Sequence, residues 1–136
     1  MEIIQIVNDI TVMYINASSF PNGVLAAHQK LHTLIPFTTE RKYYGLSRPE
    51  NGGEIIYKAA AEIITSGEAE KLSLKTVVMK KGNYISKTLH DYMKNLPAIG
   101  KTFQLMLKRD DIDPEGYCVE YYLSDNDVQC IVRLKD

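Results

Sequence analysis

One carboxylate in this chain stands in apolar company. Glu120 lies within the β-favouring run YCVEYYL, residues 117 to 123, and no lysine or arginine occurs within eight residues of it on either side. In a strand, alternation puts Cys118, Glu120 and Tyr122 on one face and Val119, Tyr121 and Leu123 on the other. The second set is apolar enough to pack beneath helices, so the first is expected to line an inner groove. A carboxylate there is partly desolvated, which raises its pKa unless a cation or hydrogen-bond donors compensate. A cationic ligand would supply the partner. A unit pair at about 4 Å is worth a few kcal/mol at an effective dielectric near 20, and stacked tyrosines add about 0.5 to 2 kcal/mol each. Tyr14, Tyr44 and Tyr57 fall on expected strands of the first half and are candidates for the opposite wall. Two plainer roles for Glu120 stand beside this one: an edge-strand glutamate facing water, or a partner of Arg133 or Lys58 across the sheet.

Other residues carry weaker signals. His28 and His32 have the i, i+4 spacing that can seat zinc, yet HQKLH lacks the intervening glutamate of a metalloprotease motif and no third ligand is evident, so no metal or cofactor is expected. DIDPEG places acids at 111, 113 and 115, next to Asp110, without the glycine and glutamate positions of a calcium loop. Ser18 and Ser19 have no partner arrangement, and no GxSxG occurs. Cys118 and Cys130 form no CxxC pair and suit a reducing, cytoplasmic setting as small buried hydrophobes, with a disulfide between them the alternative.

Composition sets the frame for these residues. A chain of 136 residues, 45% hydrophobic, suits a single domain spanning 1–136. Sixteen basic and seventeen acidic residues leave a net charge of −1, which gives no field to recruit nucleic acid or an anionic membrane. The opening MEIIQIVNDI has no basic segment before its apolar run, and nowhere do eighteen apolar residues occur together. A soluble, unexported chain is expected. Nine tyrosines with three phenylalanines and no tryptophan favour a half-wet concave surface, because each tyrosine pairs an apolar face with a hydroxyl that needs a partner.

The elements that must position Glu120 follow from periodicity and breakers. Residues 10 to 15, ITVMYI, read as a strand, and Val24, Leu25, His28, Leu31, His32 and Ile35 recur at helical spacing between Pro21 and Pro36. Tyr43 to Ser47 and Glu54 to Ile64 read as strands about the PENGG turn. After the TSGEAEK link, LSLKTVVM reads as a strand, KGNY as a turn, and Ser86 to Arg109 as a helix interrupted at Pro97. Tyr117 to Leu123 and Gln129 to Leu134 are the last strands, joined by SDND. An offset of 65 matches Thr11 and Val12 to Thr76 and Val77, Val24 to Leu89 and Leu31 to Leu96, and YYGLS at 43 echoes YYLS at 121. Two βαββ pseudo-repeats, about 1–65 and 70–136, would set a cleft along their pseudo-twofold axis, a common place for a ligand.

The pattern KGNY leading into a helix, then a glycine and the strand VEYYLSD, resembles the GyrI-like family, the effector-binding domains of many bacterial multidrug and AraC-type transcription regulators. There a GPY-like turn opens the helix and an E-x-Y-L strand carries a pocket glutamate. The resemblance implies an α+β fold: duplicated βαββ units in a curved antiparallel sheet, helices on its outer face and a groove on its inner one. It implies bulky, often cationic and aromatic ligands, with Glu120 as counter-charge and Tyr122 beside it. The closing strand QCIVRLK departs from the family in offering Gln129 and Arg133 where a second acid and a proline are common. No helix-turn-helix segment precedes the pattern, so direct DNA contact is not expected.

Three functions follow as expectations. The first is a monomeric or homodimeric domain that senses or sequesters a bulky cationic or aromatic small molecule against Glu120. The second is hydrolysis of electrophilic xenobiotics, with Glu120 as general base and Tyr122 as donor. The third is protein binding that inhibits or protects DNA gyrase.

Overall fold

The computed structural model describes residues 1–50 and 52–136. Eight strands form one antiparallel sheet: β1 (Glu2–Ile6), β2 (Ile10–Asn16), β3 (Tyr43–Glu50), β4 (Glu54–Glu62), β5 (Lys75–Met79), β6 (Gly82–Leu89), β7 (Cys118–Tyr122) and β8 (Val128–Arg133). The helices are α1 (Val24–Leu34), the short α2 (Glu68–Lys71) and α3 (Pro97–Met106), with a 3-10 turn at Tyr92–Lys94. Among the described residues no helix is long and apolar enough to cross a membrane.

Spatial order in the sheet is β1-β6-β8-β7-β3-β4-β2-β5. The unit β2-α1-β3-β4 is matched by β6-α3-β7-β8, so the duplicated βαββ arrangement is present, with the β3–β7 pair at its centre. The strand that precedes each unit pairs with the other unit: β1 lies against β6, and β5 against β2. The offset of 65 therefore lays β2 on β5, the strand it pairs with, whereas its counterpart in the fold is β6.

Short links force the sheet to curl. Only Val7 to Asp9 join β1 to β2, and only Lys80 and Lys81 join β5 to β6, although each link connects opposite sides of the sheet. In a flat sheet those strands would lie roughly 30 Å apart at a spacing near 4.8 Å, and two or three residues reach about 10 Å. The sheet closes into a half-barrel instead. Its inner face buries Val12, Tyr44, Leu46, Ala60, Tyr84, Val119 and Ile131 against one another, and among the described residues no helix contributes to that cluster.

Both long helices pack on the outer face. Leu31 and Ala27 of α1 meet Met13, Tyr43, Tyr57 and Ala59, and Phe103 and Met106 of α3 meet Ile85, Cys130 and Val132. Pro97 opens α3, where its fixed φ and missing N–H cost nothing, rather than interrupting a longer helix. The expected helix from Ser86 onward is strand as far as Leu89, and KGNY is the entry to β6 rather than a turn. Gly82 at that entry has φ +140, and the Arg133 guanidinium lies over the position a Cβ would take. Of the PENGG turn, Asn51 lies outside the described residues; Gly52 and Gly53 have φ of +93 and +105.

Candidate functional site

Glu120 lies in β7, between β3 and β8, and directly opposite Gly45. The edge-strand role is thereby removed: the residue is central and only 8% exposed. It lies on the helix-bearing face, not on the inner one. Alternation separates the two residue sets as expected, but Val119 and Tyr121 fill the curled interior while Cys118, Glu120 and Tyr122 turn toward the helices. The reason is the closure of the sheet, which gives the inner face a core of its own.

Helix α1 packs over β2 and β4, and α3 over β6 and β8; the β3–β7 seam between the two helices is here called the furrow. Glu120 forms its floor. Tyr122 donates to Glu120 Oε1 at 2.6 Å and Tyr57, reaching across from β4, at 3.3 Å. The two hydroxyls are 3.0 Å apart. His28 of α1 closes the group, with Nε2 2.8 Å from the Tyr57 hydroxyl and 3.4 Å from that of Tyr122. With the Nε2–H tautomer, His28 donates to Tyr57, which donates to the carboxylate. Gly45 makes the assembly possible, because a methyl there would overlap the Tyr57 hydroxyl and crowd Glu120 Oε1 at 3.2 Å.

The electrostatics leave the carboxylate short of a cation. Burial raises the Glu120 pKa, opposed by the hydrogen bonds from Tyr122 and Tyr57. Burial, then the neighbouring Glu120 charge, pushes both tyrosines up, so they stay protonated donors. His28 is lowered to about 4 by burial and by His32, so it is neutral at pH 7 and brings no charge. Neither expected internal partner serves. Lys58 is bound to Glu50 at 2.9 Å, and Arg133 to Asp113 at 3.0 Å and Asp136 at 2.9 Å. Oε2 of Glu120 has no donor among the described residues.

Aromatic rings surround this floor. Phe20, 44% exposed, stacks on Tyr57 at 6.0 Å between ring centres. Tyr92, from the 3-10 turn, approaches Tyr122 at 6.0 Å, and His28 meets Tyr122 edge-on at 5.3 Å. Of the five residues expected at a site, Glu120, Tyr122 and Tyr57 thus converge. Tyr14 and Tyr44 do not: both belong to the inner core, where Tyr44 packs on Tyr121 at 5.1 Å. His28, Phe20 and Tyr92 complete the group without having been singled out for it. In the sequence, His28 stands out only as a position on the periodic face of α1 and as half of an i, i+4 pair. Its Nε2 is committed to the tyrosines, and His32 packs edge-on against Tyr43 at 4.9 Å. Both cysteines are free thiols, and burial raises Cys118 to about 11 and Cys130 to about 12.

The sequence matches no protein-family model and no curated protein. The fold does have solved counterparts. An integron cassette protein from the mobile metagenome of Vibrio cholerae superposes with a TM-score of 0.75 at 15% identity, over 98% of this chain and 95% of that one. SAV2435, solved bound to tetraphenylphosphonium, gives 0.66 at 11% identity over 97% and 93%. A putative bacterial transcription regulation protein from Staphylococcus aureus gives 0.63 at 9% over 99% and 97%. At these identities the likeness is one of fold, the one expected of GyrI-like domains.

Proposed function

We propose that this chain binds a bulky organic cation in the furrow between α1 and α3, with Glu120 as counter-charge and Phe20, Tyr57, Tyr92 and Tyr122 as the aromatic surround. The observation that carries this reading is a central, buried carboxylate whose nearest titratable neighbours are all neutral and whose Oε2 is left without a donor. A protein that needed Glu120 only for packing would gain by replacing it, since an unpaired buried charge is costly. The fold it shares with SAV2435, a protein solved with a lipophilic cation, supports the same direction. Micromolar affinity needs about 8 kcal/mol, of which one ion contact and two or three ring contacts supply part and apolar burial the remainder.

Calorimetric titration with tetraphenylphosphonium tests it. Binding should be saturable, and Glu120→Gln should weaken it by about tenfold or more. Equal affinity in the variant would refute the counter-charge role.

A second reading has one observation in its favour. The 2.6 Å contact between Tyr122 and Glu120 joins a carboxylate of raised pKa to a proton donor, the pairing that water attack on a strained electrophilic ring requires. Turnover of such electrophiles that disappears in Glu120→Gln supports hydrolysis; no product across a broad panel removes it.

A further inference from the structure

The inner face holds a second feature that the furrow does not use. Where β5 approaches β6, a cavity of about 290 Å³ opens, near the lower end of the range for small-molecule sites. Val77, Met79, Tyr84, Tyr117 and Val119 give it an apolar wall, and Arg48, Lys80 and Arg133 are the cations that line it. The whole sheet separates it from Glu120, which faces the helices.

Charge on this side runs opposite to that of the furrow. Glu50 is a single carboxylate facing two cations, Lys58 at 2.9 Å and Arg48 at 3.4 Å. Lys58 is only 5% exposed, and its ammonium lies 5.1 Å from the Tyr14 ring and 5.6 Å from that of Tyr117. Arg48 stacks on Tyr117 at 4.1 Å and donates through Nη1 to the Glu115 carbonyl at 2.7 Å, which leaves Nη2 without an acceptor among the described residues. Lys80 has no carboxylate partner among them either. Asp113, the other acid in the wall besides the exposed Glu115, is taken by Arg133. Two cations on one carboxylate in a half-buried setting call for a second anion, and the adjoining wall is apolar.

We infer that this cavity is a separate site for an amphipathic organic anion, its acid group held by Arg48 and Lys80 and its apolar body laid along Tyr117, Met79 and Val77. The inference does not rest on the cation-binding reading of the furrow. It also gives Tyr14 a role as part of the aromatic shell around Lys58.

Fluorimetric titration of the full chain with anilinonaphthalenesulfonate tests it. One saturable site is expected, weakened about tenfold in Arg48→Met and a few-fold in Lys80→Glu, whose exposed side chain is dispensable for folding. Glu120→Gln should bind the probe as the unaltered chain does, and tetraphenylphosphonium should not displace it. Absence of binding, unchanged affinity in both cavity variants, or displacement by the cation overturns the inference. The last outcome would place the probe in the furrow. Because one site is probed with a cation and the other with an anion, either can fail alone.

Discussion

Glu120 carries a conflict between stability and binding, and pH exposes it. Its folded pKa is raised above the ordinary 4.5, so the folded chain holds this proton more tightly than the unfolded one. The contribution to stability is therefore fullest below pH 4.5 and is lost as pH rises through the folded value. Glu120→Gln keeps an acceptor for both tyrosines but cannot ionise. Urea unfolding at pH 7 should find it more stable than the unaltered chain by about 1–3 kcal/mol, with the advantage fading as pH falls from the folded value toward 4.5 and gone below it. His28 works in the other direction, since its pKa is lowered to about 4: its contribution is present above pH 6.5 and lost as pH falls toward 4. Comparing the two chains at each pH cancels that common term. Gly45→Ala tests the same group sterically. The added methyl must expel the Tyr57 hydroxyl, so thermal unfolding should register a loss of about 2–3 kcal/mol and cation affinity should fall as well.

At the scale of elements, α2 is too short to persist on its own. Glu68 holds it in place: its carboxylate takes two bonds from Arg41, at 2.9 and 2.6 Å, and the Ile64 N–H at 3.2 Å. These contacts, the Arg41 hydrogen bonds foremost, lower Glu68 to about 2. A depressed carboxylate stabilises above its unfolded pKa, so the tie should weaken as pH falls from about 4.5 toward 2. Hydrogen exchange of the α2 amides should accelerate over that window, and Glu68→Gln should show fast exchange already at pH 7. The same four residues mark a limit of legibility. TSGEAEK has the composition of a link, and tertiary contacts, Glu68 with Arg41 and Ala69 buried in the outer core, make part of it helical. Strands β2, β3, β4, β5, β7 and β8 and helix α1 are readable because each has its own period and breakers. β1 is not, since EIIQI has no turn signal before it, and β6 is not, since GNYISKTL alternates weakly and runs into the helical spacing of Tyr92 and Leu96. For the site, alternation grouped Glu120 with Tyr122, but which face takes the helices depends on the curl of eight strands. No local pattern encodes that, so strand spacing alone groups Tyr14 and Tyr44 with Glu120, whereas they lie behind it on the other face of the sheet.

For the molecule as a whole, β1 closes the inner core although it forms an edge of the sheet. Ile4 and Ile6 pack against the cluster around Tyr84 and Ile131, and the strand covers the hydrogen-bonding edge of β6. Removing residues 1 to 7 should lower the melting temperature by several degrees, corresponding to about 2–4 kcal/mol, and expose a strand edge. Size-exclusion chromatography should then show more self-association than the full chain does.

The exchanged strands reach further than this. Since β1 belongs in sequence to the unit it does not pair with, and β5 likewise, neither half contains the edge that completes it. A half produced alone would meet its missing strand only in a second copy of itself. Two such copies could trade strands reciprocally and rebuild the whole. The covalent link between the halves thus fixes a handshake that would otherwise be concentration-dependent. It also lets the seam beneath the two helices be unequal, glycine on one side and glutamate on the other, as no symmetric pair of identical chains could.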